Sequence, residues 1–330
     1  VIFLFLSMSI IKLRGQRLKL PMWKTALNYT VVFVIVFGLG ILSSRPKFIK
    51  YYDATQAKSN TLTEYSQDVM SKITDGLTIT TYANVLDETW IYAEPRNKNR
   101  DLTRFEKYLR FKPDIKQKYV YYYGKYYSNY RYERDGYKDK TPYELVHAIY
   151  RWSRQDTTTF MPQEQVWAMD DIRAEGGRLV RVLSRDNGRK AILRIYDDSH
   201  IHPSETEITV AMKTLVDRPA VPAFVTGHGE RSMNDNGDNG YGLLATHRVG
   251  RNSLINQGFA PREISLEKPV PIDVDFLVIS DVKTPYTEQE LENYKKFIDR
   301  GGNVLILGEP RRQKNMNPLI EPVGLKYADN

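Results

Sequence analysis

The chain has 330 residues, is 41% hydrophobic and carries a formal net charge of +8. It contains no cysteine, which excludes disulfides, thiol catalysis and cysteine-bound metals. Residues 1–50 hold eight basic and no acidic side chains, so residues 51–330 carry 40 of each sign. The large C-terminal part is therefore neutral, which excludes a domain-wide electrostatic surface for nucleic acid.

The first residues are apolar and lead into a basic stretch. Residues 1–11 read VIFLFLSMSII and lack an initiator Met, which predicts the end of a preceding transmembrane helix. A short hydrophobic leader is the alternative. Residues 12–24 hold five basic residues and are predicted to be a cytoplasmic loop.

Residues 25–44 carry no charge and are long enough to cross a bilayer. They predict a transmembrane helix, in preference to a buried core helix or a signal peptide, because no small-residue cleavage pattern follows. Basic residues are more numerous before the helix than after it. This asymmetry predicts a protein of the inner (cytoplasmic) membrane whose soluble part is extracytoplasmic, or periplasmic.

Residues 45–60 are polar and aperiodic and predict a linker, and residues 61–217 predict a thioredoxin-like α/β domain. The order of elements is helix, strand, helix, strand, helix, two strands joined at Asp186-Asn187-Gly188, and helix. The predicted ranges are a helix from Thr63, strands 77–83 and 118–123, helices 101–111 and 143–152, strands 178–184 and 190–196, and helix 204–215. The missing cysteines exclude a redox role.

Nine tyrosines interleaved with basic residues lie between positions 119 and 137. Aromatic rings beside cations can stack on glycans or anchor a protein. The predicted partner surface consists of Tyr121, Tyr123, Tyr126, Tyr127, Tyr130 and Tyr132. The alternative is an ordinary strand followed by a solvated hairpin. A metal site at His200, His202 and Glu205 is disfavoured, because two histidines two residues apart in a loop are a weak pattern.

Prolines at 219 and 222 mark a boundary, and residues 218–330 predict a flavodoxin-like or glutamine-amidotransferase-like domain. Apolar strands alternate with helices, which predicts a parallel sheet with helices on both faces. The strands are predicted at 221–226, 262–266, 275–280 and 303–307, and the helices at 241–257 and 287–299. The domain is expected to continue beyond residue 330.

The candidate ligand or partner loop follows the first of these strands, where ligands bind in such sheets. It consists of Gly227, His228, Gly229, Glu230, Arg231 and Ser232. Glu230 could pair with Arg231. His228 and Glu230 could act as acid and base, but no cysteine or G-x-S-x-G serine provides a nucleophile. No Walker A or complete G-x-G-x-x-G motif is present, so no cofactor is predicted.

These residues resemble a known family. Residues 224–232 (FVTGHGERS) are similar to the GHGE signature of ABC-type transport auxiliary proteins, the gliding-motility-associated GldG-like group. The similarity continues through Asn256-Gln257-Gly258-Phe259, the strand at 276–280 and the segment 298–306, and upstream at residues 62–66. The resemblance implies a transmembrane anchor with an extracytoplasmic region, partnered with or fused to an ABC permease and served by a separate ATPase. The apolar start suits the fused form.

The sequence therefore predicts a non-catalytic ABC-transporter auxiliary component that binds a substrate or an envelope protein or glycan. Two alternatives stay open. One is an extracytoplasmic hydrolase that uses His228 and Glu230. The other is a passive envelope scaffold that uses the tyrosine-rich stretch.

Overall fold

The computed structural model describes residues 2–19, 21–45, 49–125, 136–151, 156–309 and 311–328. The chain forms two compact units. One comprises residues 1–61 with 107–113, and the other comprises 62–106 with 114–330. Helices and strands alternate through the second unit, as expected for an α/β protein.

The N-terminal part of the first unit contains the helices α1 (Ile2–Arg17) and α2 (Met22–Ser43). They pack closely near Gly15, where a β-carbon would lie 3.1 Å from the Thr25 hydroxyl. α1 runs through the first three basic residues, so the helix is longer and the loop shorter than predicted. In the described part of the chain, α2 is the one helix long and apolar enough to cross a membrane.

The first sheet has five strands in the order β3-β2-β1-β4-β5. β1 and β2 are parallel, whereas β4 is antiparallel to both β1 and β5. The order β2-β1-β4-β5 is the one expected of a thioredoxin-like domain, which confirms the predicted fold class. The strands are β1 (Leu77–Asn84), β2 (Lys116–Tyr123), β3 (Met161–Pro162), β4 (Val180–Arg185) and β5 (Lys190–Arg194).

The helices that accompany this sheet begin at side-chain caps where the sequence predicted them. Thr63, Thr141 and Ser204 cap three of them, the last two through a capping box with a glutamate. The helix predicted at 101–111 is instead two short helices joined by a 3₁₀ turn. The helices are α3 (Glu64–Ser71), α4 (Lys98–Leu102), α5 (Glu106–Phe111), α6 (Pro142–Tyr150), α7 (Gln163–Met169) and α8 (Glu205–Thr214).

The second sheet has four parallel strands in the order β7-β6-β8-β9, which confirms the predicted parallel sheet. Its elements are β6 (Pro222–Val225), α9 (Gly242–Ala245), β7 (Arg262–Ile264), β8 (Phe276–Ser280), α10 (Glu288–Asp299), β9 (Asn303–Leu307) and α11 (Gln313–Ile320). The boundary predicted at Arg218 to Pro222 lies between α8 and β6, and the division into domains stays a prediction.

The two faces of this sheet are covered differently. Leu277 and Ile279 face α10 and α11, against Tyr294 and Met316. The other face, with Phe224 and Val278, packs against α9 and the loops around it. The prediction of a helix at 241–257 is wrong. This segment contains four residues of helix, a turn region and a 3₁₀ turn at 254–256.

The side chains of this irregular segment bond to its own backbone and to the first sheet. Asn256 Nδ2 donates to the carbonyls of His247, Arg248 and Gly250, which fixes a tight turn. Its Oδ1 accepts from Arg194 on β5 at 2.9 Å. Because these bonds require a turn, a helix is excluded here in spite of the periodic apolar residues.

Ion pairs also join the two sheets. Glu175 accepts from Arg194 at 2.7 and 2.9 Å and from Arg248 at 3.0 Å. Arg251 donates to Asp198 and lies 4.4 Å from the centre of the Tyr196 ring. The joint between the sheets is thus a set of charge-assisted hydrogen bonds.

A buried ion pair lies within the first sheet. Arg181 on β4 is 0% exposed and donates to the Asp101 carboxylate at 2.6 Å. Tyr119 and Arg104 donate to the same carboxylate at 2.7 and 3.2 Å. Burial raises the pKa of Asp101, but the charge of Arg181 and these hydrogen bonds outweigh it, so that the pKa lies below its usual value.

Replacing Asp101 by Ala is expected to lower the free energy of unfolding by about 3–5 kcal/mol, because it leaves a fully buried guanidinium without its counter-charge. The matched control is Asp68→Ala, which removes the exposed Asp68–Lys72 pair and should change stability little. Denaturant unfolding of the full chain in detergent, followed by circular dichroism, measures both. Equal effects would show that the buried pair is not a major source of stability.

Candidate functional site

The loop predicted as the site lies at the carboxyl end of β6, whose four residues are all buried. Gly227 and Gly229 have positive φ angles of 130° and 78°. A β-carbon at Gly229 would lie 3.0 Å from that of Lys283, in the connection that follows β8. Glycine is therefore required at Gly229 both by its backbone angle and by the close approach of the two loops.

His228 joins these two loops. Its Nδ1 lies 3.1 Å from the Thr284 hydroxyl and its Nε2 lies 2.9 Å from Glu290 Oε1. Its carbonyl accepts from the backbone N–H groups of Lys283 and Thr284. The side chain is 15% exposed, so one edge of the ring reaches solvent while both nitrogens have partners.

Glu290 has two structural tasks. It is buried in the first turn of α10, and its Oε2 accepts from the backbone N–H and the hydroxyl of Thr287 in a capping box. Its other oxygen faces His228. Burial raises the pKa of Glu290, but the hydrogen bonds from Thr287 and His228 prevail and hold the pKa below its usual value.

Glu230 does not pair with the imidazole, which separates the acid and base of the predicted hydrolase. One of its oxygens accepts from the His228 backbone N–H at 2.6 Å, and the other accepts from the Tyr286 hydroxyl. Burial, then the hydrogen bond to Glu230, raises the pKa of Tyr286. The Tyr286 ring also lies 4.4 Å from the His228 ring, centre to centre.

Arg231 and Ser232 point away from the imidazole. Arg231 donates to Glu309 at 2.5 Å, just after β9, and does not pair with Glu230 as the sequence suggested. Ser232 donates to Glu263 on β7, which also accepts from the Met233 N–H at 3.0 Å. The loop is thus bonded to segments following β8 and β9 and to β7 itself.

An open cleft of about 330 Å³ lies beside this loop. Its lining side chains include two carboxylates and one imidazole. The lining residues are Gly227, His228, Glu267, Thr287, Gln289 and Glu290. The cleft offers hydrogen-bond acceptors and one imidazole edge to a small polar molecule or to a side chain of a partner.

No group of three or more metal-ligating side chains occurs among the described residues. The carbonyls of His200 and His202 accept from Arg251 at 3.4 and 3.2 Å. The polar loop containing these histidines therefore binds an arginine of the same chain.

Of the six tyrosines predicted as a partner surface, two lie in the part of the chain that the structure describes. Tyr121 on β2 packs edge-on against Trp90, and its hydroxyl donates to the Ala93 carbonyl at 2.9 Å. Tyr123 packs edge-on against Tyr143. The other four, Tyr126, Tyr127, Tyr130 and Tyr132, lie outside the described residues. Tyr121 thus contributes to an aromatic cluster of the core, and the partner surface stays a prediction.

Thr284, Tyr286, Glu263 and Glu309 contact the loop but were not predicted. Glu290 was not predicted as part of the site either. Thr284, Tyr286 and Glu309 follow the carboxyl ends of parallel strands, and this was the available signal, since such ends lie at one side of a sheet.

Comparisons with known proteins agree with part of the resemblance. A family model described as an ABC-type uncharacterized transport system matches residues 220–329. No curated protein and no solved structure matches the chain. The match spans the second sheet and the His228 loop, and it supports an ABC transport auxiliary role for this part of the chain. The GldG-like group itself stays a prediction.

Protonation of Glu290 should weaken the site. Because the pKa of Glu290 is lowered in the folded state, its stabilising contribution is present above the unfolded pKa and is lost as pH falls through the lower folded pKa. Glu290→Gln should therefore melt earlier than the wild type at pH 7, and the difference should shrink as the solution is acidified. Thermal melts from pH 7 to pH 3 measure it, with Glu288→Gln, an exposed residue of the same helix, as control. A difference that does not change with pH would contradict the assignment.

Proposed function

We propose that the protein is a membrane-anchored, non-catalytic auxiliary component of an ABC transporter. Its soluble part is extracytoplasmic, and the protein binds a substrate or an envelope partner and couples it to a permease. The observation that carries the proposal is the family match over residues 220–329, on a chain that also has a membrane-length helix.

The geometry of the loop supports binding over catalysis. Both ring nitrogens of His228 and both oxygens of Glu230 already contact groups of the same chain. A general base needs access to the proton that it removes. A side chain held in this way is better suited to fix the shape of a recognition loop.

The position of the loop supports a contact with a partner. It lies at the carboxyl edge of a parallel sheet, where ligands bind in this class of fold. Lys283 is exposed beside the loop, whereas Ile272, in the segment before β8, is 89% exposed at the opposite edge. Comparing crosslinks formed from these two positions distinguishes a specific contact at the loop from general proximity of a partner.

A photo-crosslinking amino acid at Lys283 should form an adduct with a permease, its substrate or an envelope protein in native membranes, and the same residue at Ile272 should not. Affinity purification of the crosslinked protein, with mass spectrometry, should also recover an ABC ATPase. Recovery of envelope proteins without an ATPase would contradict the transporter proposal and favour the scaffold. Equal adducts from both positions would contradict the role of the loop.

A specific observation favours a second candidate, a hydrolase. Thr284, His228 and Glu290 form a hydroxyl–imidazole–carboxylate series, with distances of 3.1 and 2.9 Å, which has the connectivity of a catalytic triad. The backbone amides of Lys283 and Thr284, however, donate to the His228 carbonyl. They are therefore not directed at a developing oxyanion. This arrangement thus lacks the stabilisation of the oxyanion, which usually contributes most to the catalysis of acyl transfer.

We expect purified protein to hydrolyse ester and peptide substrates no faster than its Thr284→Ala variant does. The reason is that the amides nearest to this hydroxyl are occupied. Initial rates on a panel of chromogenic substrates measure this, with Thr246→Ala as a control for a threonine outside the cleft. A rate that is lost in Thr284→Ala and in His228→Ala, but not in Thr246→Ala, would establish the hydrolase instead.

A further inference from the structure

A group of exposed aromatic and basic side chains lies in the same compact unit as α2. It lines a cleft of about 800 Å³ between the segment that follows α2 and the end of α5. We call it the juxtamembrane patch, and its principal residues are Ile49, Lys50, Tyr51, Tyr52, Arg110 and Phe111. Tyr52 is 86% exposed, and Tyr51 and Phe111 are also exposed.

The segment that carries these rings has a defined conformation. Asp53 accepts from the backbone N–H of Thr55 at 3.0 Å and from that of Asn60 at 2.8 Å. Lys58 donates to the Asp53 carbonyl at 2.7 Å, and its ammonium lies 5.1 Å from the centre of the Tyr52 ring. The acidic side chain is thus used inside the loop, while the aromatic rings remain outside.

Arg110 connects α5 to this segment. Its Nη1 donates to the Asn60 carbonyl at 2.7 Å, and its guanidinium lies 5.0 Å from the centre of the Tyr51 ring. Phe111, the next residue, is exposed. Residues far apart in the sequence therefore contribute to one surface.

The chemistry of this surface matches that of a lipid headgroup layer. Residues 49–61 and 107–113 contain five basic side chains and one acidic side chain. Of the basic ones, Lys112 is buried and the other four are at least partly exposed, which leaves the surface positive. Tyrosine is enriched where a membrane meets water, because its ring is apolar and its hydroxyl is polar. Basic side chains close to a membrane are attracted to anionic lipids.

The patch is also continuous with the membrane helix. α2 ends at Ser43, and Tyr52 follows nine residues later. Nine residues of extended chain span at most about 30 Å, so Tyr52 lies within that distance of the end of α2. A soluble protein would be expected to cover three exposed aromatic rings, whereas a protein anchored at this point can bury them in the membrane interface.

We propose that the juxtamembrane patch lies in the anionic headgroup layer, on the side of the membrane where α2 ends. The patch holds α5 against the membrane surface. The proposal rests on the membrane insertion of α2 that the proposed function also requires, but it does not rest on a transporter partner.

The absence of cysteine from the sequence makes a direct test possible. Four single-cysteine variants of the full chain, Phe37→Cys, Tyr52→Cys, Phe111→Cys and Ile272→Cys, would carry a nitroxide spin label in vesicles of phosphatidylethanolamine and phosphatidylglycerol. Collision rates with oxygen and with a water-soluble nickel complex measure the depth of each label. We expect Phe37 deep, Ile272 aqueous, and Tyr52 and Phe111 at an intermediate, interfacial depth.

Two further conditions test the charge. Adding Arg110→Gln to the Tyr52 variant should shift the label towards water, as should vesicles of zwitterionic phosphatidylcholine. If Tyr52 and Phe111 are as accessible to nickel as Ile272 while Phe37 is deep, the inference is overturned and the membrane anchor stands. If Phe37 is not deep, α2 does not span the bilayer and both proposals fail.

Discussion

The candidate site depends on one buried carboxylate. Glu290 caps the N-terminus of α10 with one oxygen and contacts the His228 imidazole with the other. The same side chain therefore stabilises a helix of the sheet and fixes the loop that follows β6. A helix N-terminus favours negative charge, so the carboxylate is held ionised where it serves both purposes. His228 in turn binds the connection after β8 through its carbonyl and Thr284. The two loops consequently form one structure at the carboxyl edge of the sheet.

Much of the fold could be predicted because the sequence patterns that mark its helices and strands lie within a few consecutive residues. The capping boxes at Thr141, Ser204 and Thr287 each lie within four consecutive residues, and the buried strands read as apolar runs. The helix predicted at 241–257 failed because Asn256 uses its amide to hold a turn and to contact β5. Apolar periodicity does not encode a bond of that kind, since the partner on β5 is 62 residues away.

The position of the candidate loop could be predicted from the sequence, but the contacts of its side chains could not. The glycines and the end of a strand placed the loop at the carboxyl end of β6, where the structure has it, and its role as a site stays a prediction. Sequence proximity suggested that His228 would act with Glu230 and that Glu230 would pair with Arg231. In the structure the imidazole faces Glu290, and Arg231 faces Glu309, 78 residues away. The loop bends at Gly227 and Gly229, and the fold determines which element each of its side chains contacts.

The joint between the two sheets has a mechanical consequence. Glu175, Arg194, Arg248 and Arg251 hold it by charge-assisted hydrogen bonds. The Arg194–Glu175 pair is nearly buried, whereas Arg248 and Asp198, the partner of Arg251, are exposed. Each sheet, by contrast, has its own apolar core. Salt screens the exposed charges of this joint, whereas it leaves the apolar cores intact. High ionic strength should therefore weaken the contact between the sheets before it weakens either core.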